Sequence, residues 1–232
     1  RLYDTAQMYK NEQALGDALK ENKIPREDIF LISKVNNCNQ GYEKTITSFE
    51  ESLQKLQTDY LDAFLVHWPG QDKARMLDTW KAMEHLYKEG KVKSIGVCNF
   101  EISQLTYLLE HCEIKPMIDQ VEHTPLMHNE KLISFCKEHE IQIMAWGPLL
   151  RGNLENKKIE EIAAKYNKTT AQLLLRWNIQ QEIIPIPKSK NEQRLQQNID
   201  VFDFEISKED MEELNHMNEN HRTSFDPLTF DF

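Results

Sequence analysis

The chain has 232 residues, 40% of them apolar, enough to bury a sizeable core in one domain. A net charge of −10 and a pI near 5.3 argue against a nucleic-acid polyanion as the main ligand and leave room only for a local basic pocket. No stretch approaches the roughly 20 apolar residues of a membrane span. The four cysteines, Cys38, Cys98, Cys112 and Cys136, lack CxxC or metal-ligand spacing and read as reduced thiols of a cytosolic protein.

Along the chain, apolar strand-like runs alternate with helical periodicity. The strands are expected at Arg1–Asp4, Ile29–Ser33, Leu61–His67, Val92–Val97, Met117–Val121, Ile141–Trp146 and Ile183–Pro187. Between them, Ile46, Phe49, Leu53 and Leu56 form one helical stripe, Met76, Trp80, Met83 and Tyr87 a second, and Ile159, Ile162 and Tyr166 a third. Continuous rather than alternating apolar strands are those of a parallel sheet covered by helices. Ser207 to Asp210 open a last helix, and a tail runs over 219–232. No linker, repeat or low-complexity tract divides the chain, so a single domain over 1–232 is expected.

Strand–helix units recurring about every 30 residues fit an open doubly wound sheet or a (β/α)8 barrel. The first requires a Gly-x-Gly-x-x-Gly turn after its first strand, and none of the seven glycines is so spaced. Seven strands, the first a stub ending at Asp4, then predict a barrel whose first β/α unit and the front of the next precede Arg1, roughly 40 residues at that period.

The carboxyl ends of barrel strands meet at one face. Asp4, Tyr9, Lys34 and His67, each close to the end of a strand, are therefore expected to converge. A phenol with a pKa near 10 is a feeble acid, and a neighbouring Lys34 ammonium lowers that value and favours proton donation. Asp4 supplies the counter-charge that a lysine at the end of an apolar run needs, and His67 orients a substrate oxygen. Each residue also has an ordinary structural alternative: a turn cap for Asp4, snorkelling for Lys34 and plain packing for Tyr9 and His67. No metal-ligand constellation is expected from the isolated His123 and His128, and no HExxH occurs.

Six ordered segments, Asp4-Thr5-Ala6 with Tyr9, Ser33-Lys34, Leu65 to Pro69, Gly96 to Phe100, Asp119 to Glu122 and Ile186 to Ser189, resemble the aldo-keto reductase family, and the resemblance spans residues 1–232. It is to the bacterial type, similar to glyoxal and 2,5-diketo-gluconate reductases, and it implies an N-terminally incomplete barrel. The resemblance implies a cytoplasmic, NADPH-dependent reductase of aldehydes and ketones that transfers a hydride, with Tyr9 as the general acid and Asp4, Lys34 and His67 beside it. It implies cofactor contacts at Cys98, Asn99, Gln120, Trp146, Gly147, Leu149, Lys188, Ser189, Arg194, Gln197 and Asn198, and a substrate-lining Trp68. Two of these depart from the family pattern: Cys98 stands where serine is usual, and Gln197 where glutamate is frequent. A helix start with Lys188 and Arg194 nearby suits the adenosine 2′-phosphate that the family holds there. The implied partners are a small carbonyl compound and neither nucleic acid nor membrane, with a monomer if the chain is full-length. The alternatives are a non-catalytic, cofactor-binding subunit and an inactive truncated reductase. The identity of the substrate is not legible, because the loops that choose it vary freely on one scaffold.

Overall fold

A computed structural model describes residues 1–232. In chain order the elements are β1 (Leu2–Asp4), α1 (Glu12–Glu21), β2 (Phe30–Val35), α2 (Tyr42–Leu56), β3 (Ala63–Val66), α3 (Lys73–Lys88), β4 (Ile95–Cys98), α4 (Ile102–His111) and β5 (Ile118–Glu122). There follow α5 (Glu130–Glu138), β6 (Gln142–Trp146), α6 (Lys157–Lys165), α7 (Thr170–Gln180), β7 (Ile184–Ile186), α8 (Glu192–Ile199) and α9 (Lys208–Asn215). The strands are ordered β1-β2-β3-β4-β5-β6-β7 in one sheet. This succession is that of a (β/α)8 barrel with seven of its eight units present.

The chain forms two compact units, Arg1–Asp119 with Phe225–Phe232, and Gln120–Ser224. In the first, β1 to β4 pair in parallel, with Asp4 opposite Ile32, Lys34 opposite Leu65 and Leu65 opposite Gly96. Gly96 is required by close approach, since a Cβ there would lie 2.6 Å from the carbonyl oxygen of Ile118. Helix α2 buries Phe49, Leu53 and Leu56, and α3 buries Met76, Trp80 and Met83; the stripe residues Ile46 and Tyr87 are only half-buried. In the second unit, β6 and β7 pair in parallel, with Ala145 opposite Pro185. Its core gathers Ile159, Ile162, Leu173, Leu174, Trp177 and Leu214. Asn156, Thr169, Asn191 and Ser207 cap α6 to α9 in turn, each side chain accepting from a backbone N–H of the first turn.

The strands differ from the sequence expectation mainly at their starts. Leu61 and Val92 make only an isolated bridge, and the regular strands begin later, at Ala63 and Ile95. The reason is Asp62, whose carboxylate accepts from the Leu31 N–H and pairs with Arg26 at 2.7 Å and Lys93 at 3.0 Å. The ion cluster thus stands beside the few backbone bonds that remain at this end of the sheet, Leu61 N–H to the Lys91 carbonyl and Lys93 N–H to the Leu61 carbonyl.

Candidate active site

The first unit brings four of the expected residues together. Asp4 is the last residue of β1, and its carboxylate accepts from Lys34 Nζ at 2.5 Å. Lys34 lies within β2, fully buried, and donates a second hydrogen bond to the Thr5 carbonyl at 3.0 Å. Tyr9 ends a single 3-10 turn, Gln7–Tyr9, and its ring lies 5.1 Å from the Lys34 ammonium. The residue after β3 is Val66's neighbour His67, whose ring meets that of Tyr9 edge-on, with centroids 5.6 Å apart. Asn99, just past β4, takes a left-handed conformation (φ 62°) and donates to the His67 carbonyl at 3.1 Å.

The electrostatics of this group differ from the sequence expectation in one respect. The phenol of Tyr9 is raised above its ordinary value of 10.0, because burial of its oxygen outweighs the lowering effect of Lys34. Tyr9 therefore stays protonated at neutral pH, and Lys34 compensates the charge left when the proton departs. Burial also depresses Lys34, but the Asp4 carboxylate, by its charge and its hydrogen bond, more than offsets it and keeps the ammonium charged. His67 is lowered to about 3, first by burial and then by Lys34, so its ring is neutral. Its Nδ1 is buried without a partner. Burial likewise holds the Cys98 thiol protonated, which makes it a weak donor where a serine hydroxyl would be a stronger one.

Trp68 is buried, at 8% exposure, beneath residues that the sequence reading did not single out. Phe230 and Phe225 pack edge-on against it at 4.9 Å and 6.1 Å and stack on each other at 4.4 Å. Phe232 sits under the Arg75 guanidinium, and Gln104 donates to the Pro227 carbonyl at 2.9 Å. The available signal was three phenylalanines within the last eight residues, Phe225, Phe230 and Phe232.

In the second unit, Gln120 is buried in β5, and Trp146 ends β6 with the Arg151 guanidinium 5.5 Å from its ring. A cleft of about 1130 Å³ is lined by Gly147, Leu149, Lys188, Ser189, Arg194, Gln197 and Asn198. Gly147 at φ 63° turns the chain into it. Lys188, Lys190 and Arg194 reach the cleft with no ion-pair partner, whereas Lys168 on the same wall is held by Asp200 and Asp203. Arg194 lies in the first turn of α8, where its backbone N–H bonds the Asn191 cap. Asn198 Nδ2 is buried and has no acceptor. Unpaired cations at a helix start and an orphaned amide donor suit a ligand bearing phosphate and a ring acceptor. No three His, Cys, Asp or Glu side chains gather in a metal-ligating arrangement, and no helix is long and apolar enough to cross a membrane.

Residues 1–219 match the model of the aldo/keto reductase family. The chain belongs to that family. It is 48% identical to a glyoxal reductase of Bacillus subtilis over 98% of its own length and 82% of the relative's. A 9,11-endoperoxide prostaglandin H2 reductase of Trypanosoma cruzi is 46% identical, over 99% and 82% respectively. Among solved structures, an aldo-keto reductase from a Medee basin deep-sea metagenome library superposes with a TM-score of 0.96 at 42% identity, covering all of this chain and 86% of that one. An aldo-keto reductase complexed with NADPH superposes with a TM-score of 0.91 at 30% identity, over 97% and 76%. As an aldo-keto reductase the protein is an oxidoreductase.

Proposed function

We propose that the protein reduces small aldehydes and ketones to alcohols with NADPH, using Tyr9 as the general acid. The observation that carries this reading is the Asp4–Lys34 pair at 2.5 Å with the Tyr9 and His67 rings against it. A protonated phenol, a buried cation beside it and a neutral imidazole are what an alkoxide forming from a carbonyl calls for.

Asp4 holds Lys34 in place and keeps it charged. Lys34 stabilises the phenolate that Tyr9 becomes on handing its proton to the carbonyl oxygen. His67, neutral throughout the working pH range, orients that oxygen, and Trp68 with the tail aromatics excludes water. NADPH, when bound, supplies the hydride. Cys98, Asn99, Gln120 and Trp146 would hold its nicotinamide end; Gly147, Leu149, Lys188, Ser189 and Arg194 would hold its phosphates, and Gln197 and Asn198 its adenine. Cation supply at Lys188 and Arg194 favours NADPH over NADH, because the 2′-phosphate adds charge that they can pair. The relatedness to a reductase of glyoxal points to small, activated carbonyl compounds.

The test is NADPH oxidation with glyoxal and a panel of aldehydes and ketones, by wild type and Tyr9→Phe. Wild type is expected to turn over, and Tyr9→Phe to lose roughly 10²–10⁴-fold in kcat, the range of general acid catalysis, with NADPH affinity little changed. Full turnover by a folded Tyr9→Phe protein would remove Tyr9 from the mechanism. NADPH binding without turnover on any carbonyl would make the chain a cofactor-binding subunit.

A further inference from the structure

The Gln7 side chain bonds no member of the tetrad, yet its amide is fully used. Its Nε2 donates to the Ser48 carbonyl at 3.0 Å and to Ser52 Oγ at 3.1 Å, both on α2. Its Oε1 accepts from the Asn36 backbone N–H at 2.8 Å and from Asn39 Nδ2 at 2.9 Å, both just beyond β2. Two donors and two acceptor sites are all that a carboxamide has. One side chain therefore ties together the turn that ends in Tyr9, the segment that follows Lys34, and a helix anchored by buried Phe49, Leu53 and Leu56.

Tyr9 needs such an anchor. It is 49% exposed, its buried end being the hydroxyl beside Lys34. Its neighbours in the site are the edge of His67 and the Lys34 ammonium. The turn that carries it is closed only by Tyr9 N–H to the Ala6 carbonyl at 2.9 Å and Lys10 N–H to the Gln7 carbonyl at 3.3 Å. A lone 3-10 turn has poor hydrogen-bond geometry and little stability of its own. Its place is set from outside, and Gln7 is the side chain of the turn with the bonds to set it.

We propose that Gln7 is a positioning residue, which seats Tyr9 against Lys34 and His67 by clamping the Gln7–Tyr9 turn to α2 and to the segment after β2. The inference rests on the reading of Tyr9 as the acid. Gln7→Met keeps the length of the side chain and removes all four bonds. Gln7→Glu places an oxygen against the Ser48 carbonyl, where a donor is needed.

The experiment is a double-mutant cycle on the intact protein, with glyoxal as substrate and NADPH binding followed by fluorescence titration. Misplacement of a reacting group by about 1 Å costs on the order of 10²-fold, so Gln7→Met is expected to lower kcat about 10- to 100-fold. Its NADPH Kd should stay within about twofold, because the turn lies outside the cofactor contacts. In a Tyr9→Phe background the same change should cost less than about twofold, since the seat matters only while the acid is there. Losses that multiply in the double variant, or a Gln7→Met kcat close to wild type, overturn the inference. Should Gln7→Met fail to fold, Ser52→Ala removes one of the four bonds from the α2 side. It should lower kcat about two- to fivefold, again only when Tyr9 is present, and an unchanged or additive effect overturns the inference equally. If Tyr9→Phe alone keeps full turnover, the acid assignment itself has failed, which is a different result.

Discussion

The two units prepare for their tasks in opposite ways. In the first, most of the chemical groups already engage one another, His67 Nδ1 excepted: Lys34 donates to Asp4 and Thr5, and Asn99 is bonded to the strand end that carries His67. In the second, the cleft keeps its polar groups unspent, with Lys188, Lys190 and Arg194 unpaired and Asn198 Nδ2 buried without an acceptor. Catalytic groups gain from geometry fixed before the reaction, because no reorganisation is then needed as charge develops. Binding groups gain from remaining unsatisfied until the ligand arrives, because the bond they make then is not exchanged for an internal one. The contrast makes a prediction for each side: substitutions in the first unit should cost stability and turnover together, and those in the cleft should cost affinity alone.

The largest effect is expected where the prepared set is broken at its centre. Lys34→Met removes the cation that faces the buried Asp4 carboxylate, which should destabilise the fold by about 3–5 kcal/mol. It should also abolish measurable turnover, and thermal unfolding together with the NADPH assay reads both. A variant as stable as wild type would show that the pair is not a prepared one.

On the cleft side, Arg194→Ala removes one charge-assisted contact of roughly 1.5–3 kcal/mol, or about 10- to 150-fold in NADPH affinity. NADH binding and thermal stability should be almost unaffected. Equal losses for both cofactors would show that Arg194 does not read the 2′-phosphate.

Acid sharpens the comparison further. His67 and His123, one in each unit, are both lowered to about 3, chiefly by burial. In the unfolded chain they titrate near 6.5. As pH falls below that value the unfolded state takes up protons that the folded state refuses, so stability is complete above about 6.5 and lost progressively toward about 3. Each histidine contributes a slope of about 1.4 kcal/mol per pH unit in that window. His123→Gln should lessen the slope with no effect on turnover, provided the variant packs on Trp177, on which His123 stacks at 4.6 Å. Turnover should show no titration near 6.5, since His67 is already neutral, and its alkaline limb should lie above the ordinary tyrosine value, because burial raises the Tyr9 phenol. An acid limb at pH 6–7 would identify His67 as a titrating group.

The smallest expected effect is at Asn198. Asn198→Leu removes a donor that the ligand-free protein leaves unsatisfied. The free protein should unfold at the same temperature or slightly higher, while NADPH affinity falls about two- to tenfold, the worth of one neutral hydrogen bond. Loss of stability in the free protein would show that Asn198 serves the fold.

What the sequence made legible follows from how local each signal is. The order of strands and helices was readable because apolar periodicity is a property of neighbouring residues, as in the Phe49, Leu53 and Leu56 stripe. Asp4, Tyr9, Lys34 and His67 were readable because parallel strands bring their ends to one face whatever lies between. The chemical state of Tyr9 was not, since burial of its oxygen is a property of the whole assembly, and burial reversed the direction expected from Lys34 alone. The early strand starts were misread because Leu61 and Val92 are apolar, while the side chain of Asp62 decides where the ladder begins. Gln7 was invisible for a similar reason: all four of its partners lie 29 to 45 residues away.

The tail that covers Trp68 also bears on the order in which the protein is made. Residues 225–232 complete the first unit, yet they leave the ribosome after the whole of the second. At about 5–20 residues per second, the 105 intervening residues, 120–224, occupy roughly 5–20 s of synthesis. Throughout that interval the nascent first unit lacks Phe225 and Phe230 over Trp68. The closing of the aromatic cluster over Trp68 is therefore a step that waits until the whole of the second unit has been made.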